Sequence, residues 1–222
     1  MILYHGSDHI IKAPIFHGGK RSNDYGYGFY TTETLELAKE WACAKGTDGY
    51  ANRYEIELDN LRILRLNSPN CNILNWLAIL AKHRTYWQRN SISEEAKRYL
   101  QDNFFIDPDE YDVVIGYRAD DSYFSFAQDF ISNAISLKKL SQAMRLGKLG
   151  EQVVLKSARS FARLRFLEAL PAPAAIYYSR KANRDRAARR SYRTLAAEKD
   201  AAQDIYMLDI MREGIKNGDP RL

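Results

Sequence analysis

Asp24-Tyr25-Gly26-Tyr27-Gly28-Phe29-Tyr30-Thr31-Thr32 runs from a glycine-rich loop into a short strand and then into a helix. That change of pattern decides how the rest of the chain is read. Phe29–Thr31 has the aromatic and β-branched composition of a strand. From Glu33 to about Lys45, Leu35, Ala38, Trp41 and Ala42 recur at helical spacing, with Thr32 placed to cap them. On the N-terminal side, residues 6–28 read as loop, rich in Gly, Asn, Asp and Ser, and residues 1–5 as an opening strand that ends in Tyr4-His5-Gly6-Ser7.

Further along, Tyr54–Leu58 and Leu61–Leu66 alternate as strands around an Asp59-Asn60 turn. Helices are expected near 72–83 and 93–103. Asp112–Tyr117 has the continuous apolar character of a buried strand, and helices near 123–133 and 137–146 follow. Gln152–Lys156, opened by Gly150-Glu151, is another strand, with a last short one at Leu164–Leu167. Pro171 and Pro173 in an Ala/Pro run read as a linker over 171–183, and the chain from Arg184 to about Lys216 as one long helix. The expected units are a domain over 1–170, that linker, and a basic helical extension over 184–222. Strands this short, not alternating regularly with helices, argue for an α+β fold rather than a doubly wound one.

The 222 residues are enough to bury a core without disulfide staples. With 45% hydrophobic, 27% charged and 12% aromatic residues the chain has the balance of a soluble globular protein and is not disordered throughout. Its longest apolar stretch, Ile73–Ala81, falls short of the roughly 20 residues of a membrane span. No signal peptide is read at the start. Cys43 and Cys71 lack metal-ligand spacing to other Cys or His, so two reduced thiols, a cytoplasmic location and no metal are expected. Arg180 to Arg193 holds seven basic residues against one acid, Asp185, so the net charge of +5 is concentrated there. Such a run suits an acidic partner or nucleic acid, and equally a solvated helix face. His17-Gly18-Gly19-Lys20 lacks the first glycine of a phosphate loop and is followed by Arg21 instead of Ser or Thr.

Taken in order, Tyr4-His5-Gly6-Ser7, then Gly28-Phe29-Tyr30-Thr31-Thr32 before a helix, then Glu151-Gln152 on a late strand resemble the ADP-ribosyltransferases. The resemblance is to the His-Tyr-Glu branch that includes diphtheria toxin and the poly(ADP-ribose) polymerases. It is closer still to a bacterial family of small ADP-ribosyltransferase-like toxin proteins, in which an Asp121–Phe126-type stretch also recurs. It covers roughly residues 1–168. It implies a split β-sandwich with surrounding helices and a cleft for NAD, the co-substrate. In that cleft His5 would bond a ribose hydroxyl, the Gly6 backbone would hold the nicotinamide carboxamide, and Ser7 would assist. Tyr30, followed in its motif by Thr31, would stack on the nicotinamide ring, and Trp41 would supply a second aromatic. The catalytic carboxylate falls on Glu151 or the same position on Gln152, according to the alignment. Adjacent strand residues face opposite sides, so only one can point into the cleft, and the chemistry of a developing oxocarbenium favours Glu151. Apart from the resemblance, the polar and aromatic stretch after the 112–117 strand could bring Arg118 or Asp121 to the substrate or the pyrophosphate, while Phe124 and Phe126 read equally as core of the next helix; Lys20 or Arg21 could contact the phosphates.

The expected activity is mono-ADP-ribosylation of a protein or nucleic acid with release of nicotinamide, by an intracellular toxin or defence factor under an antitoxin. The alternative is a decayed cleft whose basic helix binds nucleic acid or a protein through Arg186, Arg189, Arg190 and Arg193. RNA 2′-phosphotransfer would require Tyr30 and Glu151 to be dispensable.

Overall fold

A computed structural model describes residues 1–84, 91–119, 121–146 and 150–222. The protein is α+β, with two sheets and, among the described residues, eight α-helices. The first sheet is antiparallel, in the order β1 (Ile2–Ser7), β3 (Gly49–Ile56), β7 (Leu164–Ala172). The second runs β2 (Phe29–Thr31), β6 (Glu151–Leu155), β5 (Val113–Tyr117), β4 (Ile63–Arg65), with β4 and β5 parallel and the other pairs antiparallel.

Strand alternation explains how the sheets pack. Val113 and Ile115 of β5, Val153 and Leu155 of β6 and Phe29 of β2 face one way. They meet Leu3, Tyr54 and Ile56 of the first sheet in a shared apolar layer. Val114 and Val154 face the other way, into the main core with α2 (Ile73–His83), α3 (Ser91–Phe104) and α4 (Asp121–Ile131). The two sheets touch directly where Tyr4 and Thr32 exchange both backbone hydrogen bonds, at 2.8 and 2.9 Å.

The helix after β2, α1 (Leu35–Ala42), lies against β1 and β3. Its N-cap is Thr34; Thr32 helps by accepting the Thr34 N–H on its hydroxyl at 3.2 Å. The Asp59-Asn60 turn exists, with Asn60 at φ 60°, but the strands on either side of it enter different sheets and do not pair.

The segment 171–183 is not a linker. Pro171 sits in β7 opposite Tyr50, where an edge strand tolerates proline, and Pro173 precedes α7 (Ala174–Ala197). Nor does one helix run from 184 to 216. α7 starts ten residues earlier and stops at Ala197, where the Lys139 ammonium on α5 (Leu137–Ala143) donates to the Ala196 carbonyl at 3.2 Å and pairs with Asp200 at 2.8 Å. A separate α8 (Met207–Arg212) buries Met207 and Ile210 in the main core. Tyr192 anchors α7, stacked on Phe126 with ring centroids 3.8 Å apart and its hydroxyl donating to Asp129 at 2.6 Å.

No helix among the described residues is long and apolar enough to cross a membrane, and they hold no cluster of His, Cys, Asp or Glu fit for a metal ion.

Candidate active site

A cavity of about 840 Å³ is lined by residues of β1, β2, β6 and α1 and of the loop between β1 and β2. That is within the range of small-molecule and cofactor sites. Its walls include His5, Gly6, Phe29, Tyr30, Trp41 and Gln152, and its basic lining comes from Lys12, Arg84, Arg118 and Lys181.

β1 is an edge strand, so one side of its backbone is unpaired by its own sheet. Tyr4 turns its N–H and C=O to that side, toward Thr32. Along a strand these groups repeat every second residue, so Gly6 presents its N–H and C=O to the same side, in the wall of the cavity. Gly6 must be glycine for a packing reason. A Cβ there would stand 2.0 Å from the Ala38 oxygen and 2.7 Å from the Ala42 nitrogen, both backbone atoms of α1.

His5 lies between the sheets, stacked on Phe29 with centroids 4.5 Å apart. Its Nδ1 is 2.7 Å from the Tyr30 carbonyl. A carbonyl only accepts, so the proton is on Nδ1, and in the neutral ring Nε2 is left as an acceptor. Burial lowers the His5 pKa, against the raising effect of the Tyr30 carbonyl, which keeps the ring neutral near pH 7.

Tyr30 is held by its hydroxyl, which donates to the Gly26 carbonyl at 2.7 Å and accepts the Tyr25 N–H at 3.0 Å. Burial raises its pKa. Trp41 lines the cavity, but one ring face carries the Arg118 guanidinium, 3.2 Å from the ring centroid. That is a cation–π contact.

Of the two adjacent candidates on β6, Gln152 reaches the cavity. Glu151 shares the opposite strand face with Val153 and Leu155. Burial raises the Glu151 pKa, with Arg65 opposing, and its Oε1 has no hydrogen-bond partner. Gln152 is 3% exposed. Its Nε2 donates to Asp24 Oδ2 at 2.9 Å and to the Tyr117 carbonyl at 3.2 Å. Asp24 also accepts the Ala119 N–H at 2.9 Å and stands 3.7 Å from the Arg84 guanidinium. Burial raises the Asp24 pKa, and these donors oppose it.

Ser7 and Thr31 are outside the cavity lining. The Ser7 hydroxyl bonds His9 at 3.1 Å, and the Thr31 hydroxyl donates to the Val153 carbonyl at 2.6 Å, tying β2 to β6. Lys20 and Arg21 do not line it either, whereas Arg118 does; the Asp121 side chain lies outside the described residues. The residue that sequence reasoning missed is Asp24. It stood in the decisive stretch, but an acid in a glycine-rich loop looks solvated, and only the fold buries it behind Gln152.

The basic run of α7 is partly neutralised. Arg184 makes a two-pronged pair with the buried Glu40, at 2.7 and 2.9 Å. Arg180 pairs with Glu36, and Arg189 with Asp185 at 3.0 Å. Arg186, Arg190 and Arg193 are exposed.

The family profile described as "Protein of unknown function (DUF3990)" matches residues 1–166. The chain belongs to the DUF3990 family. The DUF3990 match takes in both sheets' cavity residues from His5 to Gln152 and stops within β7, before α7. No curated protein and no solved structure matches this DUF3990 chain.

Proposed function

We propose that this protein is an NAD-dependent mono-ADP-ribosyltransferase. The observation that carries the reading is the pairing, in one wall of one cavity, of the unpaired Gly6 backbone with a neutral His5. A primary carboxamide offers one N–H₂ and one C=O, and a strand edge that presents a C=O and an N–H from one residue complements it. The acceptor Nε2 of His5 suits a ribose hydroxyl, and Tyr30 supplies an aromatic wall whose tilt is fixed by two hydrogen bonds. Arg84, Arg118, Lys12 and Lys181 match a pyrophosphate, and Trp41 orients Arg118 for it.

The residues present therefore fit NAD, with one departure from the resemblance. From β6 it is the amide of Gln152 that lines the cavity, where the resemblance implies a carboxylate, and Glu151 is outside the lining. In the reaction, the bond between the anomeric carbon of the ribose and the nicotinamide nitrogen breaks. The bonding pair leaves with nicotinamide and neutralises its ring. A nucleophile of a macromolecular acceptor bonds the anomeric carbon and releases its proton to solvent. Gln152 Oε1 is placed to accept from a ribose hydroxyl and so to stabilise the developing cation. A toxin or defence role under an antitoxin rests on the resemblance.

Calorimetric titration with NAD tests the reading. The wild type binds, and His5→Ala and Arg118→Ala each weaken binding by about tenfold, the scale of one hydrogen bond. Absence of binding to the wild type refutes it.

A further inference from the structure

Asp24 is a buried carboxylate in the cavity wall to which the function proposed above gives no task. We infer that Asp24 is a positioning residue that fixes which end of the Gln152 amide faces the substrate; this rests on that reading.

The donors and acceptors around Gln152 fix its orientation. A glutamine amide can be flipped to put either oxygen or nitrogen forward. At Gln152 both polar neighbours at the back of the side chain are acceptors, the Asp24 carboxylate and the Tyr117 carbonyl. Only the NH₂ end can serve both. The oxygen is therefore forced forward, and no hydrogen bond from another described residue reaches it. Asp24 Oδ2 accepts the Ala119 N–H and Oδ1 stands 3.7 Å from the Arg84 guanidinium, so the side chain cannot readily turn away. The acceptor one hydrogen bond behind the amide also polarises it and makes Oε1 a stronger acceptor. In this way the site obtains from a neutral side chain the acceptor that a glutamate would supply.

The chemistry explains why a glutamate would gain nothing here. Two carboxyl groups within hydrogen-bond distance do not both ionise. Glu at position 152 and Asp24 would share one proton, so the substitution would bring no second charge to the cavity wall.

The test is a double-mutant cycle read as kcat and KM for NAD consumption, with urea midpoints recorded for every variant. Asp24→Asn keeps the shape but turns an amide toward the Gln152 amide, which frees Gln152 to flip. It is expected to lower kcat by about tenfold or more and to leave KM within about threefold. In the Gln152→Ala background the same change is expected to cost nothing further, because Asp24 acts through Gln152. Equal losses in both backgrounds, or kcat and KM moving together with a lowered urea midpoint, overturn the inference. Gln152→Glu leaves Asp24 in place and so does not depend on how well Asp24→Asn folds. It is expected to bring no gain in kcat over the wild type, and a gain of about tenfold or more overturns the inference. If the wild type neither binds nor consumes NAD, the proposed function falls and takes this inference with it. If the wild type is active and the cycle is additive, only the inference falls.

Discussion

Replacing Gly6 with alanine tests how the cavity wall is built. The added Cβ would meet the Ala38 oxygen at 2.0 Å, the Ala42 nitrogen at 2.7 Å and the Trp41 Cβ at 2.9 Å. The nearest two are backbone atoms, so no rotamer change relieves them. Restoring an ordinary 3.4 Å contact requires α1 and β1 to separate by about 1.4 Å. α1 cannot retreat freely, because α7 braces it through the Arg184–Glu40 pair and β7 through contacts of Ala42 and Cys43 with Ala172. Overpacking of this kind costs about 1–3 kcal/mol, and a clash with backbone belongs at the upper end. With a urea slope of about 2 kcal/mol/M, a loss of about 3 kcal/mol lowers the midpoint by about 1.5 M. The shift also moves Trp41, and with it Arg118, so NAD affinity falls in the fraction that remains folded. Ser7→Ala, one residue on and outside the cavity, is expected to stay within about 0.5 kcal/mol of the wild type. Equilibrium urea unfolding checks both. A Gly6→Ala protein with an unchanged midpoint and unchanged NAD affinity would refute the packing argument.

Three further outcomes follow from the same geometry. Arg184→Ala strands the Glu40 carboxylate, which is only 3% exposed, and is expected to cost about 3 kcal/mol in urea unfolding, whereas Arg180→Ala, which breaks an exposed pair with Glu36, costs about 1 kcal/mol or less. Tyr30→Phe keeps the aromatic wall but leaves the Gly26 carbonyl and Tyr25 N–H without their partner, so stability falls by about 1–3 kcal/mol while NAD affinity changes little. Burial holds the His5 pKa below its ordinary 6.5, so near and below that pH the unfolded chain takes up a proton that the folded chain does not. Stability contributed at this site is therefore present above about pH 6.5 and is lost as the pH falls. His5→Asn retains a donor for the Tyr30 carbonyl without titrating, and its unfolding free energy is expected to depend less steeply on pH between about 5 and 7 than that of the wild type.

Much of the frame was legible because its signals are local. The Phe29–Thr31 strand, the Leu35/Ala38/Trp41/Ala42 helix and the apolar strands at 113–117 and 151–155 announce themselves by periodicity. Sheet membership is not local. Tyr54–Leu58 and Leu61–Leu66 read as a hairpin, yet β4 pairs in parallel with β5, some fifty positions away in the chain. Pro171 and Pro173 read as breakers because a single proline does not reveal that one lies on a sheet edge and the other precedes a helix. The end of α7 is set by Lys139, a residue from another helix.

The site divides in the same way. His5, Gly6, Tyr30 and Trp41 line one cavity and were found through ordered motifs. Between Glu151 and Gln152, strand alternation established that one residue faces the cavity, but not which, because the phase is set by the partners of β6 and not by its own sequence. Gly6 was chosen for its backbone, and its second task, admitting α1, shows only when α1 is in place. Asp24 was invisible because its meaning lies in Gln152 and Ala119, which reach it from distant parts of the chain.

Nicotinamide release from NAD by the wild type, Glu151→Ala and Gln152→Ala, with whole-cell lysate as the source of acceptor, tests the central claim most directly. The account predicts release by the wild type, little change in Glu151→Ala, and a loss of about a hundredfold in Gln152→Ala, the scale of removing one transition-state hydrogen bond. No release by the wild type, or a loss in Glu151→Ala with Gln152→Ala unaffected, would contradict it.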